Sequence, residues 1–218
     1  MLSTARRPRP LFVVFFFLVI GLLIYSNSFR ASFRFDDYNF IADKMQVRDL
    51  GRIWSEGDQL RKIPYLTFAL NYRWTGLDVW SWHLVNTLLH VLVSFLVYAI
   101  SRLIWRSETL QRHPLQAHAE ELSIAAGLVF LCHPLATSAV TYIYQRIMVL
   151  AALFHALTLW SYLRARILKS PVWFAAAAVF ALLACFTKQV NLTLPLTLAL
   201  SEMAFCARSS MRYAWRKS

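Results

Sequence analysis

The chain has 218 residues, 58% of them hydrophobic, and a formal net charge of +12. Soluble domains are usually about 45–50% apolar, and the excess here lies in long runs, which indicates an integral membrane protein. The basic residues stand mostly at the ends of those runs, so membrane topology explains them better than a nucleic-acid ligand does. The sequence contains no zinc pattern, phosphate-binding glycine loop or aromatic-basic RNA motif.

Six apolar segments are candidate membrane spans. A bilayer core of ~30 Å needs about 20 helical residues, or somewhat fewer with help from the interface. The segments cover residues 11–27, 83–105, 121–134, 137–163, 171–186 and 191–205, of which the third is short. No clear small-x-small cleavage site follows the first segment, so we interpret it as an uncleaved anchor rather than a signal peptide. The sequence therefore predicts an all-α, polytopic membrane protein with about six transmembrane helices.

The basic residues test this number of spans. They form groups before the first span, between the second and third, between the fourth and fifth, and after the sixth. With six spans all these groups fall on one side, which the positive-inside rule makes cytoplasmic. Residues 1–218 are then one transmembrane domain, with cytoplasmic basic tails at 1–10 and 208–218 and the later spans within 83–207. We expect a multi-pass protein of a bacterial inner membrane, with both termini cytoplasmic.

The loop at residues 28–82 is the largest segment on the opposite, outer side. It carries aromatic and aliphatic residues at helical spacing, divided by Gly57, Pro64 and Gly76. This pattern predicts a cap of short amphipathic helices lying at the membrane interface. A plain linker is the alternative, although linkers rarely need so many apolar side chains.

Two adjacent carboxylates, Asp36 and Asp37, follow the first span in the stretch "FRFDDYNFI". Such a pair can act as a general base, bind a metal, or form a solvated acidic turn. The surrounding aromatic rings lower the local dielectric and raise a carboxylate's pKa, which suits a base. The two oxygen-rich side chains could also ligate a divalent cation, but too few other outer acids are placed to argue for a metal site, so metal dependence stays open and we predict no firm cofactor.

Two cationic residues, Arg146 and Lys188, fall on the outer side against the charge trend. An ionised group within a span costs at least ~2.5–3.5 kcal/mol on insertion scales, so such residues usually face a cavity or a partner. A lipid-linked phosphate is a suitable partner, because Arg binds it bidentately and Lys as a point charge. Snorkelling to outer headgroups is the alternative.

Three histidines lie in or beside the predicted spans, at His83, His90 and His133. Each could bind a sugar hydroxyl or a phosphate, or simply satisfy a neighbouring helix. Too few matched ligands accompany them to predict zinc.

Several phrases in chain order resemble one protein family. These are "FRFDDYNFI", "RKIPYLTFALNYRWTGLDVWSWHLVNTLLHVL", "VFLCHPLATSAVTYIYQR" and "FTKQVNLTLP". They resemble motifs of the GT-C membrane glycosyltransferases, and in particular of the N-terminal half of protein O-mannosyltransferase-like proteins, many of which carry tetratricopeptide tails. The matches cover nearly the whole chain, and their order is more specific than any single motif.

The resemblance implies a GT-C-like N-terminal module that transfers a sugar from a polyprenyl-phosphate donor to an acceptor, expected to be a protein, on the outer face. It implies that Asp36 or Asp37 is the base. Arg146, Lys188 and His133 would hold the lipid phosphate or stabilise the leaving group. His83, His90 and Gln189 complete the predicted substrate-binding set. Attack from the face opposite the phosphate would invert the anomeric carbon.

Two positions depart from the family pattern. Ser138 stands where an acidic residue commonly follows the His-Pro motif, and Gln189 stands where the family has an acid after its lysine. The chain resembles only the N-terminal half of the proteins in this family. A minimal form, a fragment and one subunit of a split enzyme therefore all stay open. A non-catalytic membrane subunit that binds a lipid-linked sugar or a partner protein is the alternative function. A transporter would predict internal duplication, which the sequence does not show by eye.

Overall fold

The computed structural model describes residues 10–55, 61–107 and 109–206. This part of the chain is mostly helical and contains no strand, which confirms the all-α class. The predicted basic tails at 1–10 and 208–218 lie outside the described residues, except for Pro10.

Ten α-helices follow one another in the described ranges. They are α1 (Pro10–Tyr25), α2 (Met45–Arg48), α3 (Leu50–Ser55), α4 (Lys62–Thr75), α5 (Val79–Trp105), α6 (Ala119–Cys132), α7 (Thr137–Thr141), α8 (Arg146–Leu168), α9 (Pro171–Cys185) and α10 (Leu194–Ser201). Short 3-10 segments at Ser26–Arg30, Pro114–His118, Pro134–Ala136, Ile143–Gln145 and Gln189–Thr193 connect them, and π-helical turns lie at Tyr38–Ala42 and Glu202–Cys206.

Three helical segments are long and apolar enough to cross a membrane. They run over Pro10–Arg30, Val79–Trp105 and Ile143–Leu168, and Pro114–Cys132 with Pro134–Thr141 adds a fourth if this pair, bent by 48°, forms one span. Helix α9 has 15 residues and α10 has 8, fewer than the ~20 that a straight span needs. The structure thus gives three to four candidate spans, and the number six stays a prediction.

Helix α5 lies at the centre of the bundle and packs against α1, α6 and α8, while α9 packs on α8. Gly127 lets α6 pack closely against α1 and α5, because a Cβ there would lie 2.6 Å from Cζ of Phe17 and 2.9 Å from the carbonyl oxygen of Ser94. Helices α1, α5 and α6 share a buried core here, made of Val13, Phe17, Val91, Tyr98 and Leu131.

The segment between α1 and α5 is folded. Its short helices bury apolar side chains in one cluster with the first turns of α5 and α8; Phe33, Ile41, Val47, Ile53, Tyr65, Phe68, Trp82, Ile143 and Ile147 are among its members. Trp54, Leu70 and Trp74 stay exposed, and the location of these helices at a membrane interface stays a prediction. The position of this unit on the outer face of a membrane stays a prediction.

The chain breaks its helical course between α7 and α8, where the sequence predicts one continuous span over 137–163. Tyr142 is extended, with φ −91° and ψ 112°. Two side chains that are distant in sequence form hydrogen bonds with the backbone groups around Tyr142. The Asn86 amide donates to the carbonyl oxygens of Val140 (3.2 Å) and Ile143 (3.3 Å), and the Asp37 carboxylate accepts from the Tyr144 N–H at 2.7 Å. These partners satisfy groups that a broken helix leaves open, so the long helix begins only at Arg146.

The buried side chain of Arg146 connects α4, α5 and α8. It is 0% exposed, and its guanidinium donates to Oδ1 of Asn86 (2.6 Å), Oδ1 of Asn71 (2.7 Å) and the carbonyl oxygens of Trp82 (3.1 Å) and Thr67 (3.3 Å). Its Cζ also lies over two aromatic rings, 5.1 Å from the centroid of Phe68 and 5.3 Å from that of Trp82. Helices α4, α5 and α8 are therefore fastened at one charged group.

We predict that Arg146→Lys lowers the free energy of unfolding by about 3 kcal/mol or more. A lysine cannot reproduce the planar fork of donors, and each buried polar group that it leaves unpaired costs about 1–3 kcal/mol. Thermal and denaturant unfolding of the purified protein in detergent measures the change.

Arg164→Lys is the matched control, because Arg164 is in the same helix and also lies between two rings, at 5.1 Å from Trp160 and 4.3 Å from Trp173. In the described part of the chain, no hydrogen bond joins the Arg164 side chain to another residue. We therefore expect Arg164→Lys to lower the free energy of unfolding by less than about 1 kcal/mol. Equal losses in both variants would show that the four hydrogen bonds of Arg146 contribute little.

Candidate functional site

Asp37 is a buried carboxylate whose two oxygens both receive backbone N–H groups. Oδ1 accepts from Tyr144 at 2.7 Å and Oδ2 accepts from Arg34 at 3.0 Å, and the residue is 2% exposed. Burial raises the pKa of Asp37, the two N–H donors partly offset this, and the neighbouring Asp36 charge raises the pKa further. Asp37 therefore ties the segment after α1 to the turn before α8.

Asp36 is half-buried and contacts Tyr142, which lies in the connection between α7 and α8. Its backbone N–H donates to the Tyr142 hydroxyl oxygen at 2.9 Å. The preceding residue, Phe35, has a positive φ of 45° and is 81% exposed. This strained turn separates the two carboxylates: Asp37 points inward, and Asp36 lies nearer the surface.

A pair of cationic side chains lies next to this turn. Arg61 Nη1 donates to the Tyr144 hydroxyl at 3.2 Å, and Tyr144 is the residue whose N–H binds Asp37. Burial and the nearby charge of Arg61 lower the pKa of the Lys188 ammonium. Arg61 and Lys188 are thus neighbouring cations, and both side chains are of the kind that donates to phosphate oxygens.

An apolar cavity of about 590 Å³ opens among α5, α6, α7 and α8. Its wall is made almost entirely of aliphatic and aromatic side chains, among them Val93, Val97, Val129, Phe130, Ala139, Val149 and Ala152, with His90 and His133 as its polar groups. Met148 also lines it, and the Lys188 ammonium lies 2.8 Å from the Met148 sulfur. The cationic pair is thus connected to the wall of an apolar chamber.

His133 is exposed and caps the 3-10 turn that follows it. Its Nδ1 accepts from the Leu135 N–H at 3.2 Å, so the neutral ring carries its proton on Nε2. The same His-Pro-Leu sequence recurs at His113, where Nδ1 accepts from the Leu115 N–H. Capping therefore accounts for one ring nitrogen of His133, and Nε2 can donate into the cavity that this residue lines.

The other two histidines are buried in the helix packing. Nε2 of His83 lies 3.0 Å from the carbonyl oxygen of Ala31, and Nε2 of His90 lies 3.2 Å from that of Leu131. The Leu131 carbonyl, at the end of α6, also accepts from the Tyr25 hydroxyl at 3.1 Å. Both histidines fasten α5 to its neighbours, and of the two only His90 reaches the cavity wall.

The predicted site residues therefore separate into two sets. The exposed or half-buried set consists of Asp36 on the turn after α1, Lys188 in contact with Met148 of the cavity wall, His133 in the cavity wall, and Gln189 beside Lys188. The set that lies inside the protein, engaged with protein groups, consists of Asp37, Arg146, His83 and His90.

Arg61 is a candidate site residue that the sequence analysis did not select. It stands among other basic residues of a loop, and no local pattern distinguishes it. The signal that could have found it is its place at the start of "RKIPYLTFALNYRW", one of the stretches that carry the family resemblance. Among the described residues, no group of three or more His, Cys, Asp or Glu side chains is arranged to hold a metal ion.

The described residues thus form a bundle of long apolar helices that carries the carboxylates, the cationic pair and an apolar cavity. Comparison with known proteins agrees with the class predicted from the motifs. The chain is similar to curated proteins that are named O-mannosyl-transferases, which confirms the resemblance and makes this a glycosyltransferase-like membrane protein.

Three relatives illustrate the match. Protein O-mannosyl-transferase tmtc2 of Xenopus laevis is 29% identical over 194 residues, which cover 80% of this chain and 22% of that protein. Homo sapiens protein O-mannosyl-transferase TMTC2 is 29% identical over 165 residues (66% and 18%), and TMTC3 of Homo sapiens is 28% identical over 166 residues (68% and 17%). The chain spans about a fifth of the length of these relatives. No protein-family model matches the chain, and no solved structure matches it significantly.

We predict that Asp37→Ala destabilises the protein by about 2 kcal/mol or more, because it leaves the N–H groups of Tyr144 and Arg34 without acceptors. Asp37→Asn keeps one acceptor oxygen and should cost less. Thermal unfolding in detergent compares the two variants with the wild type.

The pH dependence gives a second readout of the same carboxyl. Because the pKa of Asp37 is raised in the folded state, the folded form binds its proton first as the pH falls from 7 towards the ordinary value of 3.8. The wild type should therefore gain stability relative to Asp37→Asn over that range. A relative loss of stability on acidification would contradict the burial of this carboxyl.

Proposed function

We propose that this chain transfers mannose from a polyprenyl-phosphate donor to a hydroxyl group of an acceptor protein on the non-cytoplasmic face of a membrane. The observation that carries the proposal is a series of contacts that starts at the turn of Asp36 and Asp37. The Asp37 carboxylate accepts from the Tyr144 N–H, the Tyr144 hydroxyl accepts from Arg61, and Lys188, whose pKa the Arg61 charge lowers, contacts Met148 of the apolar cavity. The names of the relatives supply the sugar and the reaction class.

The donor suits this series of groups because it has three chemically distinct parts. Its prenyl chain needs an apolar chamber, which the cavity among α5 to α8 offers. Its phosphate needs cations at the mouth of the chamber, and Arg61 and Lys188 are suited to this, with the Nε2 proton of His133 as a further donor. Its sugar would then extend towards Asp36.

In the proposed reaction the Asp36 carboxylate takes the proton of the acceptor hydroxyl. The acceptor oxygen forms a bond to the anomeric carbon from the face opposite the phosphate, and the bond from that carbon to the phosphate oxygen breaks. The polyprenyl phosphate leaves with the electron pair, and the cationic pair stabilises its added negative charge. The anomeric configuration is inverted.

The other predicted residues support this site from inside. We assign Asp37 and Arg146 positioning roles, since all the donors or acceptors that they use are engaged with protein groups. Asp37 fixes the turn that presents Asp36, and Arg146 fixes the start of α8, two residues after Tyr144. His83 and His90 position α5 in the same way.

The topology belongs to the proposal as well. With six spans, a GT-C-like arrangement, and both termini in the cytoplasm, Asp36 and Lys188 would both lie on the outer side. The bacterial inner membrane as host membrane and a second membrane subunit stay predictions.

The decisive test measures mannosyl transfer from a polyprenyl-phosphate mannose to a serine- and threonine-containing peptide, with the full chain purified in lipid. A general base typically contributes about 10²–10⁴ in rate, so Asp36→Asn should lower transfer at least about a hundredfold. Asp43→Asn is the matched control, because Asp43 is an exposed acid of the same segment. Equal activity of wild type and Asp36→Asn would contradict the assignment of the base.

A second candidate function is a non-catalytic subunit that binds the lipid-linked sugar. Gln189 favours it, because an amide stands beside Lys188 where related proteins are expected to have an acid, and it cannot take a proton. Binding of the donor by the wild type with no transfer would support this second function, and absence of both binding and transfer would contradict both.

A further inference from the structure

A second cavity lies at the opposite end of the bundle from the candidate site. It has a volume of about 220 Å³ and lies between the ends of α5 and α8 and the π-helical turn at Glu202–Cys206. Helix α5 has 27 residues, so at about 1.5 Å per residue its two ends are roughly 40 Å apart. This cavity is therefore separate from the Asp36 region. Its polar lining consists of Arg106, Ser107, Gln111, Arg166, Lys169 and Cys206.

The charge of this lining is positive. Arg166 is already paired, since its Nε lies 2.9 Å from Oε2 of Glu202, which also accepts from the Tyr162 hydroxyl at 2.8 Å. Arg106 and Lys169 are exposed, and neither forms an ion pair with a described carboxylate. Two cations thus remain for a ligand after the Arg166–Glu202 pair is counted as neutral.

Ser107 provides an independent sign of a ligand. It is 8% exposed, and its hydroxyl oxygen is buried without a hydrogen-bond partner in the described structure. Its backbone is fixed, because its N–H donates to Ile104 (3.0 Å) and its carbonyl oxygen accepts from Gln111 (3.0 Å). A buried hydroxyl usually has a partner, and this one lines the cavity beside Arg106.

A phosphate group has the chemistry that these groups would recognise. It offers several acceptor oxygens for the Ser107 hydroxyl and negative charge for the two cations. A cavity of about 220 Å³ also exceeds by several times the ~30 Å³ that one water occupies in the liquid. Two candidate spans end here, at Trp105 and Leu168, which is where lipid headgroups meet a bundle.

We propose that this cavity binds a phosphate group, supplied by the headgroup of an anionic phospholipid or by free phosphate. The site is independent of the proposed transfer reaction, and it would anchor the ends of α5 and α8 to one leaflet. Basic cavities between helices at the membrane surface are a known mode of headgroup binding.

Native mass spectrometry of the full chain in detergent tests the proposal. The probes are phosphatidylglycerol, diacylglycerol as its phosphate-free counterpart, and inorganic phosphate. The variants are Arg106→Gln and Ser107→Ala. Arg112→Gln is the matched control, because Arg112 is an exposed arginine of the same connection that does not line the cavity.

We expect phosphatidylglycerol to bind and diacylglycerol not to bind. Arg106→Gln and Ser107→Ala should each weaken that binding about tenfold, as expected for a charge-assisted hydrogen bond, and Arg112→Gln should leave it unchanged. The same variant pattern with inorganic phosphate alone would support the site with a soluble ligand. Equal loss in Arg112→Gln would indicate general surface charge and overturn the proposal, as would unchanged binding in both cavity variants.

Discussion

The guanidinium of Arg146 carries a positive charge into an interior where four neutral oxygens and two aromatic faces receive it. A buried charge without good partners is very costly, so every element that supplies an oxygen must stay in place. Asn71 and Thr67 fix α4, and Asn86 and Trp82 fix α5. The geometry near the start of α8 follows from this requirement.

The candidate site depends on that fixed point through two short connections. Tyr144, two residues before Arg146, binds Asp37 with its N–H and Arg61 with its hydroxyl. Asn86, which receives Arg146, also holds the carbonyl groups of the break before α8. The carboxylate turn, the cationic pair and the wall of the apolar cavity are thus set relative to one another by groups that never need to touch a substrate. Precise support of this kind is what a transfer site requires.

The sequence predicted the all-α class, the apolar runs that form α1, α5 and α8, and the family resemblance, because hydropathy and ordered motifs are local signals. It placed the start of the fourth span too early, because the bonds that break the chain at Tyr142 come from Asp37 and Asn86, which are distant in sequence. It could not separate Asp36 from Asp37 either. Their different burial results from the positive φ of Phe35 and from the tertiary partner Tyr144, and neither is visible in the letters "FDDY".

The proposed function requires that the apolar cavity can receive the prenyl chain of a donor, with Lys188 in contact with Met148 of its wall. Binding of a labelled polyprenyl phosphate without sugar to the purified chain tests this directly, independently of catalysis. We predict that Lys188→Gln and Ala152→Leu, which fills the cavity, each weaken binding about tenfold, while Arg112→Gln, at an exposed arginine that lines neither cavity, leaves it unchanged. Equal binding by all four proteins would contradict the assignment of the cavity to the donor lipid.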